Sequence, residues 1–352
     1  TGPADKIYWS ITLNLEELGW NLHHKQNFSE HADAGHVPGR LVREDMGAYT
    51  VTTALGTVTA RPTGNLRHEG ERPAVGDWVA VSLSDGGGEA RVHAVLPRTS
   101  RLVRKKAGNT TRQQVVAANV DWLFIVTGLD NDYNLRRIER YLTMAWDSGA
   151  SPVLLLNKID LCDDLAGCVE EVEAIAGAAP VHTSRADQLE VDHALRPYLQ
   201  TGKTLAFVGS SGVGKSTIIN TLAGSHQDTS SVREDDQRGR HTTTGRTMHH
   251  LPDGGWLIDT PGMRELQLLD VANALEDVFA EIAELAGQCR FSECSHANEP
   301  GCAVLAAIDA GELDAARLKR FHKLQAEDRH NTATVAERRA RDKNFGKMIR
   351  SI

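Results

Sequence analysis

The sequence predicts a multidomain chain: a small N-terminal β-barrel of the OB type, a central α/β domain, and a C-terminal α-helical unit held by a metal. Three observations carry this. Residues 36–97 contain five short β-prone runs separated by turn residues. The stretch Gly209–Thr217 joins an apolar strand to a helix through a glycine-rich turn. Cys289, Cys294, His296 and Cys302 form a compact group of soft ligands.

Composition sets the frame. The chain has 352 residues, room for two or three domains, and 40% apolar with 24% charged residues is ordinary for a globular protein. No apolar run reaches membrane-spanning length and no signal-peptide pattern opens the chain, so a cytoplasmic monomer with no membrane partner is expected. The net charge of −8 excludes a protein that is basic throughout, but not local basic patches. The five cysteines are an odd number, which argues against a disulfide framework. Cys162 and Cys168 fall in or near a helical stretch and read as inert thiols.

Residues 1–35 are an N-terminal extension without an assigned role. Leu13–Trp20 reads as a short helix ending at Gly19, and His23-His24 as a solvated pair. The barrel, residues 36–100, is built from runs at 39–44, 48–53, 57–60, 76–82 and 90–96, with Asp85–Gly88 as a hairpin tip. The OB type often binds oligonucleotides; a ligand-free barrel fits the strand pattern equally well. Residues 98–112 form a basic connector with no acidic residue, solvated or extending a phosphate-binding surface.

The central domain, 113–272, alternates strands and helices. Strands are expected at 120–127, 152–156, 180–183, 204–208, 246–251 and 256–259, and helices at 135–147, 163–176 and 186–200. Gly209, Ser210, Ser211, Gly212, Val213, Gly214, Lys215, Ser216 and Thr217 fit the phosphate-loop pattern. Glycines let the backbone N–H groups turn inward to phosphate oxygens, Lys215 reaches the β and γ phosphates, and the Ser216 hydroxyl holds Mg²⁺. Asn157-Lys158-Ile159-Asp160 has the Asn-Lys-x-Asp form. A carboxylate at Asp160 accepts two hydrogen bonds from guanine that adenine does not offer, Asn157 contacts the base edge, and the Lys158 stem covers the ring. Ser184 marks the remaining base-contacting loop. Asp259-Thr260-Pro261-Gly262 fits Asp-x-x-Gly, with Asp259 reaching Mg²⁺ through water and the Gly262 N–H meeting the γ-phosphate. The polar loop 225–246 supplies a switch threonine, with Thr243 the candidate Mg²⁺ ligand.

The motif order is unusual. Asn-Lys-x-Asp precedes the phosphate loop, where an ordinary GTPase has it last. Joining the old ends and opening the chain after Asp-x-x-Gly preserves the sheet, so a circularly permuted GTPase is expected. The segment 259–268 then runs directly into the C-terminal unit, 273–352.

There, Cys289, Cys294, His296 and Cys302 give three thiolates and one imidazole, a closed set suited to one structural Zn²⁺. Helices follow at 304–310 and 312–328. From Arg317 to Arg350, eleven Lys/Arg face four Asp/Glu, a pattern suited to RNA phosphate.

Together these motifs resemble the RsgA family of small ribosomal subunit biogenesis GTPases, over about residues 36–330. The resemblance implies an OB domain, a permuted GTPase and a zinc domain. It also implies binding to the maturing small ribosomal subunit and its rRNA, and GTP hydrolysis to GDP that the subunit stimulates. Ser184-Arg185 departs from the family's Ser-Ala loop. A second reading is a nucleotide-gated RNA- or protein-binding switch with incidental slow hydrolysis; Asp160 disfavours an ATP-dependent enzyme. Met263 stands where small GTPases carry a water-orienting Gln, so His241 in the switch loop is the candidate catalytic residue beside Lys215.

Overall fold

The structure, a computed structural model, describes residues 14–45, 47–68, 72–84, 89–105, 113–185, 195–223, 246–259 and 272–332. His241, Thr243, Gly262, Met263 and the basic run 338–347 lie outside them, as does most of the helix expected at 186–200.

The barrel closes as expected. Strands β1 (Val37–Asp45), β2 (Ala48–Thr53), β3 (Gly56–Pro62), β4 (Trp78–Ser82) and β5 (Ala90–Val95) run in the order β1-β2-β3-β5-β4, and β4 returns to β1. A parallel β3–β5 pair beside a short helix α2 (Gly64–His68) completes the closure. Alternation along β2 buries Tyr49, Val51 and Thr53 on one face. Four of the five β4 residues are buried because its outer face is covered too.

The connector is not a linker. Residues 101–105 form β6 and pair with β7 (Gln113–Ala118) as a two-stranded ribbon. Arg98 is spent internally, donating to both carboxylate oxygens of the fully buried Asp77 at 2.7 Å. A buried carboxylate needs such a partner.

The central sheet has the order β10-β9-β8-β11-β13-β12, from β8 (Trp122–Gly128), β9 (Ser151–Asn157), β10 (Val181–Ser184), β11 (Thr204–Val208), β12 (Arg246–His250) and β13 (Trp256–Asp259). All neighbours are parallel except β12–β13. Both faces are covered: Leu123 and Ile125 of β8 enter one apolar cluster, Phe124 and Val126 the other. Helix α3 (Leu135–Ser148) starts at an Asn134 cap and ends at left-handed Gly149; α4 (Leu165–Ala176) starts at Asp164.

One join was not foreseen. Strand β12 pairs with barrel strand β1, Thr247 opposite Arg43 and Arg246 opposite Glu44, so barrel and central sheet form one continuous eleven-stranded sheet. The Arg246 side chain adds a 2.7 Å contact to Glu44.

After the phosphate-loop helix α5 (Lys215–Leu222), the C-terminal unit contains α6 (Ala272–Val278), α7 (Ala280–Ala286), α8 (Ala303–Asp309) and α9 (Ala315–Thr332). It is fastened to α3 by charge. Glu139 of α3, fully buried, accepts from Arg317 and, at 2.9 Å, from Arg320, both on α9. Arg317 also reaches Glu281 and the Val278 carbonyl. These two arginines of the basic C-terminal stretch therefore serve an internal interface, not RNA phosphate.

The N-terminal extension also differs from expectation. Residues 14–19 are a turn, not a helix, and α1 (Leu22–Asp33) follows an Asn21 cap. Gly19 (φ +92°) lies so close to Gly202 that a Cβ would sit 2.5 Å from its carbonyl oxygen, so only glycine fits the seam. Arg40 of β1 bridges three parts there, donating to the Leu18 carbonyl, to Asn119 O at 3.3 Å and to Thr204 Oγ1 at 2.7 Å. His23 is exposed, but His24 is buried, stacked 5.6 Å from Trp20 and tilted 5.4 Å from Trp78.

Burial pulls His24 down to about 4, with Arg40 and His23 adding to the effect and Asp121 opposing it. Between about pH 4 and 6.5 the unfolded chain binds a proton that the folded chain rejects, so this stabilisation is complete above 6.5 and fades as pH falls towards 4. Chemical denaturation is expected to show about 2 kcal/mol lost through this residue between pH 7 and 5. His24→Phe should flatten that slope; an unchanged slope would remove His24 from the account.

Candidate functional site

The candidate site lies at the carboxyl ends of the parallel strands, where α/β folds place ligands. Its phosphate side is the loop between β11 and α5. Gly209, Gly212 and Gly214 all take positive φ (144°, 80° and 100°). At Gly209 a Cβ would fall 2.2 Å from the Val126 carbonyl oxygen, so the loop leaves β11 pressed against β8. Gly214 begins α5 without a side-chain cap, leaving the helix start open to an anion. Lys215 Nζ donates to the Gly209 carbonyl at 2.8 Å and to that of Ser210, which places its ammonium across the loop. Arg137 of α3, unremarked in the sequence, donates to Ser210 Oγ and pairs with Asp132 at 2.6 Å.

The base side is built on the end of β9. Asn157 is buried; its amide donates to the Val213 carbonyl at 2.7 Å and its oxygen accepts from the buried Ser184 hydroxyl at 3.2 Å. Its side chain therefore ties the phosphate loop, the Asn-Lys-x-Asp turn and the Ser184 loop together, a role the base-edge reading missed. Lys158 has left-handed backbone (φ 62°), and its ammonium is held at 2.6 Å by Asp130 from the loop after β8. That contact holds the Asp130 carboxyl below its usual range. Asp160 is exposed on the 3-10 turn Ile159–Leu161, with Arg185 Nε at 3.6 Å. A carboxylate aimed outward from this turn can accept a pair of donors from a planar base, and Arg185 is its competing partner.

Asp259 ends β13 opposite Thr247 of β12. Burial raises its carboxyl, and His249 on β12 opposes that rise. Ser216 lies in the first turn of α5. A hydroxyl and a carboxylate are the hard oxygen donors that Mg²⁺ takes.

The Cys289, Cys294, His296 and Cys302 ligand atoms lie within 4.8 Å of one another. Cys289 Sγ is 3.7 Å from His296 Nδ1 and 3.9 Å from Cys302 Sγ; His296 Nδ1 is 3.4 Å from Cys302 Sγ. Tetrahedral bonds of about 2.3 Å to sulfur and 2.0–2.1 Å to nitrogen put ligands roughly 3.6–3.8 Å apart, so the set fits Zn²⁺ with His296 binding through Nδ1. Left-handed backbone at His296 (φ 55°) and Gly301 (φ 78°) folds the short loop around this point.

A phosphate loop after β11, an Asn-Lys-x-Asp turn after β9 on the other side of β8, and a sheet whose strands are reordered in sequence define a circularly permuted P-loop GTPase. The comparisons are specific. The RsgA GTPase family model matches residues 95–269 and the RsgA N-terminal domain model residues 38–89. The chain is 46% identical over 337 residues to the small ribosomal subunit biogenesis GTPase RsgA of Opitutus terrae, covering 92% of each. It is 43% identical to that of Streptomyces coelicolor, covering 93% of this chain and 89% of the relative. Among solved structures, YjeQ from Thermotoga maritima is similar at 28% identity and TM-score 0.63, covering 82% of this chain and 97% of that one. The chain belongs to the RsgA family.

The glycine geometry gives a direct test of the phosphate loop. Gly209→Ala should weaken guanine nucleotide binding at least about tenfold, because the methyl group and the β8 carbonyl cannot share the same space. Calorimetric titration with GDP checks it; wild-type affinity would mean that the loop does not hold phosphate.

Proposed function

We propose that this chain is a GTPase that binds the small ribosomal subunit and its rRNA and assists late maturation of that subunit. The observation that carries the reading is the pairing of the phosphate loop with the guanine-type turn through Asn157, in a chain of the RsgA family. On this reading Asn157 positions, while Lys158, Asp160 and Ser184 form the base subsite. Gly209–Thr217 cradle the phosphates and Asp259 and Gly262 face the γ-phosphate side. Mg²⁺, held by Ser216, Thr243 and, through water, Asp259, would supply charge neutralisation on the phosphates.

Zinc at Cys289, Cys294, His296 and Cys302 is structural, one per chain, since four protein ligands leave no position for a reacting water. The boundaries are those of the sequence: an extension to 35, a barrel over 36–100, the GTPase over 113–272 and the zinc unit over 273–352. The chain acts as a cytoplasmic monomer. Among the described residues no helix is long and apolar enough to cross a membrane.

Catalysis needs a group to orient water, and Met263 cannot do so. His241 takes that part when the subunit is bound. GTP turnover with and without purified small subunits tests the reading. Stimulation on the order of tenfold or more is expected, lost in His241→Ala with GTP affinity retained, whereas Lys215→Ala should lose nucleotide binding itself. Absence of stimulation by intact and by immature subunits would refute the assignment.

A further inference from the structure

Two cysteines outside the metal group stand next to the base subsite. Cys162 closes the 3-10 turn Ile159–Leu161, its N–H reaching the Ile159 carbonyl at 3.3 Å. Cys168 is held in the first turns of α4, its N–H on the Asp164 carbonyl at 3.2 Å. Their sulfurs are 3.7 Å apart, the Cys162 thiol donating to Cys168; both residues are half-buried and neither is in a disulfide. The contact is imposed by two separately anchored elements. Tyr133, from the loop that carries Asp130, donates to Glu171 at 2.9 Å and to the Cys168 carbonyl at 3.5 Å, so α4 also touches the loop that holds Lys158. Thiol pairs that persist in a reducing compartment act, where they do act, as transient redox sensors.

We propose that Cys162 and Cys168 form a reversible dithiol–disulfide site, oxidised by low-molecular-weight disulfides, that weakens guanine nucleotide binding when closed. The second half rests on the reading of Asp160 as the base-recognising carboxylate. In the first step the Cys162 thiolate attacks one sulfur of the small disulfide, forming a mixed disulfide and expelling one small thiolate. Cys168 then loses its proton and attacks the Cys162 sulfur, forming the Cys162–Cys168 bond and expelling the second small thiolate. Two electrons pass from the protein to the small disulfide, and the two cysteine protons end on the two small thiols. Burial and the Cys162 neighbour push the Cys168 thiol of the reduced pair up to about 11, so Cys162 is the sulfur that attacks first and closure by Cys168 is the slower step.

Closure must shorten the sulfur separation from 3.7 Å to about 2.05 Å. The α4 side is anchored by a capped helix, so the shorter 3-10 turn yields. Asp160 lies on that turn, two residues before Cys162, and is drawn away from the base. Linkage makes the effect mutual: bound guanine nucleotide opposes oxidation by the same factor by which oxidation weakens binding.

The test uses the full chain with zinc bound, equilibrated in glutathione buffers of increasing oxidised fraction. Peptide mapping follows each cysteine, metal analysis follows zinc, and titration with GDP follows the base site. The expected result is a Cys162–Cys168 disulfide formed with zinc retained, GDP affinity reduced about fivefold and restored by reductant, and a similar factor of protection by saturating GDP. Cys162→Ser, which removes the sulfur that attacks first, should bind GDP like the reduced wild type and be unaffected by the buffers, whereas Cys168→Ser should stop at the Cys162 mixed disulfide. Oxidation of Cys289, Cys294 or Cys302 with zinc release before any Cys162–Cys168 bond appears would overturn the dithiol site. A disulfide that leaves GDP affinity unchanged would overturn its coupling to the base subsite. A reduced chain that does not bind GDP refutes the nucleotide reading instead, and the mapping still decides the dithiol.

Discussion

One buried amide holds the candidate nucleotide site together. Asn157 ends β9, donates to the phosphate loop at Val213 and accepts from Ser184 at the end of β10. Three loops from three strands thus meet on one side chain. A buried amide that lost either partner would leave a polar group unsatisfied, at a cost of about 1–3 kcal/mol. The spacing between the Asn-Lys-x-Asp turn and the glycine-rich loop is therefore set by the fold itself. Chain order does not enter this constraint. The sheet brings β9 and β11 to either side of β8 whichever comes first in sequence, which is why permutation leaves the site intact.

Two further joins connect that site to the flanking units. Strand β12, which emerges from the 225–245 segment, is hydrogen-bonded on one side to β13 with Asp259 and on the other to barrel strand β1. Helix α3 reaches the phosphate loop through Arg137 and Ser210, and Glu139, two residues further along the helix, is the buried acceptor for Arg317 and Arg320 of the C-terminal unit. Breaking one partner of a buried ion pair costs far more than a surface pair is worth, so α3 cannot move while the C-terminal helices stay behind. A change at the phosphate loop has a mechanical route to both ends of the molecule.

Much of this was legible from the sequence, for physical reasons. Buried parallel strands such as Val153–Leu156 read as continuous apolar runs, and β2 reads by its alternation. Glycine spacing in 209–214 reports a backbone shape directly, and the cysteine spacing reports a ligand set. What stayed hidden depends on contacts between distant residues. Helix α1 buries only His24 and Phe28, a stripe too narrow and too polar to register. The β1–β12 pairing joins strands some two hundred residues apart and leaves no local mark. The basic residues of the connector and of α9 looked like a phosphate-binding surface, yet Arg98, Arg317 and Arg320 each have a buried acidic partner that only the fold reveals. Cys162 and Cys168 looked inert because nothing in a one-dimensional spacing says that two sulfurs touch.

The central claim is that a permuted chain rebuilds a guanine-specific pocket from Asp160 and the phosphate loop. The most direct measurement is a comparison of GDP, ADP and XDP binding to the wild-type chain and to Asp160→Asn by calorimetric titration. The account predicts that the wild type prefers GDP by roughly a hundredfold or more, and that Asp160→Asn loses GDP affinity while gaining XDP affinity, because the amide now presents a donor where the carboxylate accepted. Equal affinity of the wild type for GDP and ADP, or unaltered guanine preference in the variant, would contradict it.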